Sequence, residues 1–176
     1  MNSFRDGIVG FFLFFAHWMS PETGKAAIDI SFGKLNSPSS ITCKCKLDIA
    51  WNKQLEQLVD AGIPLHFRIR YLTDKSDTVN LYRTLHYKLL DYTYSYTDSV
   101  ASIKKMSKSY PLIDLVLRDF CRWQFEIPPD ASFCKVEAEI LPSRAERFDR
   151  YVDMSRVWGQ QKVFVTFNPK EISKKN

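Results

Sequence analysis

The stretch Gly62-Ile63-Pro64-Leu65-His66-Phe67-Arg68-Ile69-Arg70-Tyr71-Leu72 decides the fold. Ile63, Leu65, Phe67, Ile69 and Tyr71 alternate without a break against Pro64, His66, Arg68 and Arg70. Successive side chains on a strand point to opposite faces, so the pattern predicts a strand with its apolar face on a core and its cationic face towards water. Upstream, Asp48 is placed to cap the start of a short helix with Trp51, Leu55, Leu58 and Val59 as apolar positions. Gly62 stands just past that helix, where a left-handed glycine ends it and delivers the chain into the strand.

The same reading extends in both directions. Ala27 to Phe32 and Ile41 to Asp48 alternate as strands, with Cys43, Cys45 and Leu47 on the apolar face of the second and a Ser, Asn and Pro turn between them. After Thr73, Leu81, Leu85 and Tyr87 share the odd-numbered phase, whereas Leu90, Tyr92, Tyr94 and Tyr96 are even. That slip predicts a β-bulge or sharp bend near Leu89–Asp91, where the strand passes from one sheet to the other. Thr97-Asp98-Ser99 then turns into a weaker strand, Val100 to Met106. Ser109-Tyr110-Pro111 predicts a helix start, with Leu112, Leu115, Val116, Phe120 and Trp123 as its stripe and Pro128-Pro129 as its stop. Phe133 to Leu141 reads as a strand with Cys134, Val136, Ala138 and Ile140 inward and Lys135, Glu137 and Glu139 outward. Ser143 to Trp158 reads as helical or irregular cover, and Lys162 to Phe167 as the last strand.

These elements predict a mainly β (α+β) protein: an antiparallel two-layer β-sandwich of about seven or eight strands with two or three packed helices. One domain is expected over residues 27–167, followed by a polar basic tail over 168–176. With 45% hydrophobic and 14% aromatic residues, disorder is excluded as the main state. The formal charge of +5 is modest, and Lys and Arg are spread along the chain rather than gathered into a nucleic-acid patch.

Residues 1–26 bear on location. The apolar run Ile8 to Met19 is shorter than the roughly 17–25 residues a spanning helix needs, but matches a secretory core of about 7–15. Gly24 and Ala26 fit a cleavage before Ala27. Export is the expectation; a retained anchor or a buried N-terminal helix is the alternative.

One resemblance has residues to carry it. Leu58 to Phe67, LVDAGIPLHF, followed by Leu85, Tyr87, Leu90 and Tyr94 at their spacing, resembles the bacterial domain of unknown function 4390 family. Tyr110, Leu112, Leu141-Pro142 and Trp158 extend the similarity, which spans roughly residues 27–167. It implies an exported or membrane-associated bacterial protein. It implies no activity and no catalytic residue.

The side chains that carry chemistry are few. Cys43, Cys45, Cys121 and Cys134 read first as buried thiols, with a disulfide from Cys43 or Cys45 to Cys134 as the alternative and a zinc site behind both. If the hairpin is centred near Ser76, His66 and His86 stand directly opposite each other beside Arg68, Arg70, Tyr82 and Lys88, on a face without a carboxylate. A solvated basic face is the ordinary reading of that group; a surface for a partner protein or anionic envelope ligand is the sharper one. The tyrosines at 92, 94 and 96 read as core or rim packing before they read as a stacking platform. No nucleophile motif, metalloprotease helix, phosphate loop or dinucleotide glycine pattern is present. The expectation is therefore a non-enzymatic, cofactor-free interaction module of the bacterial envelope, using His66, Arg68, Arg70, Tyr82, His86 and Lys88. A cytosolic nucleic-acid binder and an enzyme with an unrecognised site are the alternatives.

Overall fold

The structure, a computed structural model, describes residues 26–32, 40–100, 103–145, 150–158 and 162–170. It is an antiparallel, β-sandwich-like α+β fold. In chain order the elements are β1 (Ala27–Phe32), β2 (Ile41–Asp48), α1 (Lys53–Asp60), β3 (Leu65–Thr73), β4 (Val79–Lys88), β5 (Thr93–Val100) and β6 (Ile103–Met106). There follow α2 (Ile113–Phe120), β7 (Arg122–Ile127), β8 (Cys134–Leu141), β9 (Ser143–Ala145), β10 (Arg150–Val152), α3 (Met154–Trp158) and β11 (Lys162–Phe167). The expected leader lies outside the described residues except for Ala26, as does the tail beyond residue 170.

The alternating stretch occupies the place its pattern demands. The large sheet runs β11-β8-β3-β4-β5-β6, so β3 has a neighbour on each side. Leu65, Phe67 and Ile69 are buried on its inner face. The small sheet runs β1-β2-β7 and contributes Ile41, Cys43, Cys45, Leu47, Trp123, Phe125 and Ile127 to the same core. Tyr71 of β3 stacks on Phe125 of β7 with ring centroids 4.4 Å apart, joining the two sheets. Phe67 meets Phe120 of α2 and Trp158 of α3 edge-on, at 5.5 and 5.7 Å. The Trp158 indole N–H donates to the Ile49 carbonyl, which satisfies a polar group that the core would otherwise strand.

The entry to β3 is fixed locally. Gly62 takes φ +85°, its N–H bonds Val59 O at 2.8 Å, and the Ile63 N–H bonds Leu58 O at 3.0 Å. That pair of bonds closes the last turn of α1 and requires the left-handed backbone glycine supplies. The N-terminal cap is Asn52, not Asp48: the Asn52 side chain accepts from Leu55 N at 2.9 Å, while Asp48 ends β2 and accepts from Ala50 N. Trp51 consequently precedes the helix.

Four other expectations are corrected. No bulge carries β4 into another sheet; residues 89–92 form a turn with Tyr92 at φ +53°, and β5 returns alongside β4. A reversal over a four-residue turn pairs odd with even positions (Leu85 with Tyr96, Tyr87 with Tyr94), and this produces the phase slip. Tyr94 is buried and Tyr96 partly buried, as core packing predicts, whereas Tyr92 is exposed at the turn. The residues 97–99 continue β5 instead of turning. The helix after Pro111 stops at Phe120, lacks a side-chain cap, and gives way to β7, on which Trp123, Phe125 and Ile127 are buried and Arg122, Gln124 and Glu126 exposed. Ser143 to Trp158, expected as helical or irregular cover, instead holds the antiparallel β9–β10 strand pair and the short α3.

Candidate functional site

The outer face of the large sheet is built by register. In β3–β4 the pairs are His66↔Thr84, Arg68↔Tyr82 and Arg70↔Asn80. In β3–β8 they are Arg68↔Glu139 and Arg70↔Glu137. In β8–β11 they are Glu139↔Lys162, Glu137↔Phe164 and Lys135↔Thr166. Residues directly opposite share a face, so His66, Arg68, Arg70, Tyr82, His86 and Lys88 lie together as expected.

Two details of that expectation change. His66 and His86 are not opposite one another, because the hairpin register is two residues away from the expected one: His66 faces Thr84 and His86 faces Ser95. And the face does carry carboxylates. Arg68 pairs with Glu139, which Lys162 approaches at 3.7 Å. Arg70 forks onto Glu137, with its Nε at 2.9 Å from Oε2, and Lys135 reaches the other oxygen at 2.6 Å. The Lys135 hydrogen bond, then that of Arg70, hold the Glu137 carboxyl below the usual carboxylate range despite burial. The arginines are therefore pre-oriented members of ion-pair chains, not free cations.

Aromatic and apolar side chains stand among these pairs. Phe164 is 66% exposed and Tyr82 38%. Lys135 Nζ sits 4.9 Å from the Phe164 ring centroid, and Leu72 is exposed beside it in register with Lys135. At the other end of the face the polarity is quieter. His66 Nδ1 lies 2.8 Å from Thr84 Oγ1, and His86 Nε2 lies 3.5 Å from Thr97 Oγ1. Burial, then the neighbouring His86, push the His66 imidazole below its ordinary range; burial, then Lys88, do the same to His86. Both shifts favour the neutral ring, which adds hydrogen-bonding capacity to this end of the face.

The four cysteines are free thiols, and Cys43, Cys45 and Cys134 are buried. Burial pushes each of the four up to about 12, which disfavours the free thiolate that a nucleophile needs. Among the described residues no three metal-ligating side chains converge. No helix among them is long and apolar enough to cross a membrane.

One charged residue of consequence was not singled out from the sequence. Arg83 occupies the inward phase of β4 between Leu81 and Leu85 and is only 7% exposed. It forks onto Asp98, with Nε–Oδ1 at 2.5 Å and Nη2–Oδ2 at 3.0 Å. Its Nη1 donates to the carbonyls of Asp119, Phe120 and Arg122 at 3.0, 2.6 and 2.7 Å, which closes the end of α2 and the start of β7. Trp123 and Tyr96 flank the guanidinium at 4.2 and 4.6 Å. A charge in the apolar phase of a strand is the signal that could have found it. Its donors are spent on the protein itself, so its role is to hold α2 onto the sheet.

Compared with known proteins, the chain matches no family model, and neither a curated protein nor a solved structure matches it. The resemblance to the domain of unknown function 4390 family thus rests on the residues quoted for it.

Proposed function

We propose that the protein is an exported, non-enzymatic interaction module of the bacterial envelope, and that it engages a protein partner through the β11-β8-β3-β4 part of its outer sheet face. One observation carries the reading: Tyr82 and Phe164 stand exposed at either end of the Arg68–Glu139 and Arg70–Glu137 pairs. Tyr, Phe and Arg are enriched where proteins bind proteins, because rigid rings bury large area at small entropy cost and a guanidinium bonds directionally. Guanidinia already held by carboxylates lose little freedom on docking. The same pairing favours a protein over a polyanion, since each arginine's charge is compensated locally. The envelope location is supported by the apolar run at residues 8–19 and by the family resemblance.

The test is site-specific photo-crosslinking in growing cells, with the photoreactive residue at 82 or 164 and a control at Leu90. Leu90 lies in the β4–β5 turn and is 94% exposed. The expected result is a discrete envelope adduct from 82 and 164 and none from 90. Equal labelling from all three positions, or an intact Met1 species confined to the cytosol, overturns the proposal.

A further inference from the structure

β6 is an edge of the large sheet: β5 lies on one side, and among the described residues no strand lies on the other. All four of its residues are exposed, Ile103 by 75% and Met106 by 60%. Its backbone phase follows from one bond. The Ser107 N–H donates to Tyr96 O at 2.8 Å, in line with the register that pairs Thr97 with Met106 and Val100 with Ile103. Hydrogen-bonded and non-hydrogen-bonded pairs alternate along an antiparallel ladder, so the bonded pairs are Asp98–Lys105 and Val100–Ile103. Lys104 and Met106 therefore turn their N–H and C=O groups away from β5, where another strand can take them.

The side chains decide which strand. Neither Lys104 nor Lys105 has an ion-pair partner among the described residues. Asp98, opposite Lys105, has both carboxylate oxygens bound by Arg83. Because only positions of equal parity can pair across this edge, a second copy would have to centre on Lys104 or on Lys105 and set that lysine against its own counterpart, which disfavours self-association. An acidic strand meets no such penalty. Lysines on an edge block indiscriminate pairing, and here they do so while leaving an opening for a strand that neutralises them.

We propose that β6 is a strand-addition site for an extended acidic segment of a partner protein, reading apolar–acidic–acidic–apolar antiparallel to Ile103–Met106. The acidic pair meets Lys105 and Lys104, the apolar ends pack on Met106 and Ile103, and main-chain bonds to Lys104 and Met106 hold the register. This surface is distinct from the Tyr82–Phe164 face, and its occupancy does not depend on that face.

The full chain is titrated with a fluorescein-labelled, capped octapeptide carrying Val-Glu-Glu-Val between threonines, and read by anisotropy. Saturable binding that weakens with salt is expected, with the Val-Lys-Lys-Val counterpart about tenfold weaker or more. N-methylation of the peptide amides that face β6 should abolish binding, whereas N-methylation of the alternate amides should change it by less than about twofold. The exposed-site variant Lys104→Glu/Lys105→Glu should reverse the preference towards the lysine peptide. On peptide addition the Lys104 and Met106 amides should exchange more slowly. No saturable binding, equal binding of the two peptides, indifference to the phase of N-methylation, or protection elsewhere on the sheet overturns the proposal.

Discussion

Replacing Arg83 by Met tests how the fold closes. Five hydrogen bonds leave this one guanidinium, two to Asp98 and three to the carbonyls of Asp119, Phe120 and Arg122. Met fills comparable space between Trp123 and Tyr96 but satisfies none of them. The Asp98 side chain is 33% exposed, so its abandoned carboxylate can recruit water. The Phe120 residue at the helix end is buried, and its carbonyl has poor access to any. Breaking a buried pair by removing one partner costs about 3–5 kcal/mol, and the hydration of Asp98 places Arg83→Met at the lower end, about 3 kcal/mol. Asp98→Asn keeps the three carbonyl bonds and should cost about 1 kcal/mol. Arg83→Lys keeps the charge but not the fork and should fall between the two. Urea denaturation followed by tryptophan fluorescence, with Trp51, Trp123 and Trp158 as reporters, gives all three values. If Arg83→Met costs under about 1 kcal/mol, or no more than Asp98→Asn, the guanidinium does not close the α2–β7 junction.

Three further outcomes follow from particular residues. Gly62→Ala should destabilise by about 1–2 kcal/mol in the same urea assay through its left-handed backbone; the added methyl would meet nothing nearer than Leu89 Cδ1 at 3.8 Å, so an unchanged midpoint would contradict the conformational account. Because folding lowers the pKa of His66 and His86, the unfolded chain takes their protons first; stability from these groups is full above about pH 6.5 and is lost as pH falls from there through their lower folded-state values. His66→Gln should flatten the stability–pH curve between about pH 7 and 5, and a curve parallel to that of the unaltered protein would contradict it. Thiols pushed up to about 12 should react with Ellman's reagent only as the protein unfolds, and titration of Cys43, Cys45 and Cys134 at the rate of an exposed thiol in native protein would refute their burial.

What could be read from the chain was what local periodicity encodes. β3 was legible because five apolar residues alternate from Ile63 to Tyr71, and β8 because Cys134, Val136, Ala138 and Ile140 do the same. β7 was not: Trp123 continues the three- and four-residue spacing of Val116 and Phe120, so a helical stripe and a six-residue alternation compete for one residue. Packing against β2 settles that competition, and β2 is some eighty residues away in sequence. The turn at residues 89–92 could not be told from a bulge by parity, since both shift the apolar phase by one. The outward direction of Glu137 and Glu139 was readable, but their arginine partners were not, because strand order is a non-local property. The six side chains expected on one surface do share a sheet face, and the carboxylates that alter its charge come from a strand whose place in the sheet only the structure gives.

Charge exchange between Arg70 and Glu137 is the measurement closest to the central idea, that the arginines of the outer face are paired in advance. Arg70→Glu and Glu137→Arg should each cost about 1 kcal/mol, modest because the Arg70 side chain is 38% exposed. The double exchange should return stability to within about 0.5 kcal/mol of the original protein. Two losses that simply add would show that Arg70 and Glu137 act independently, and that the face is not pre-ordered.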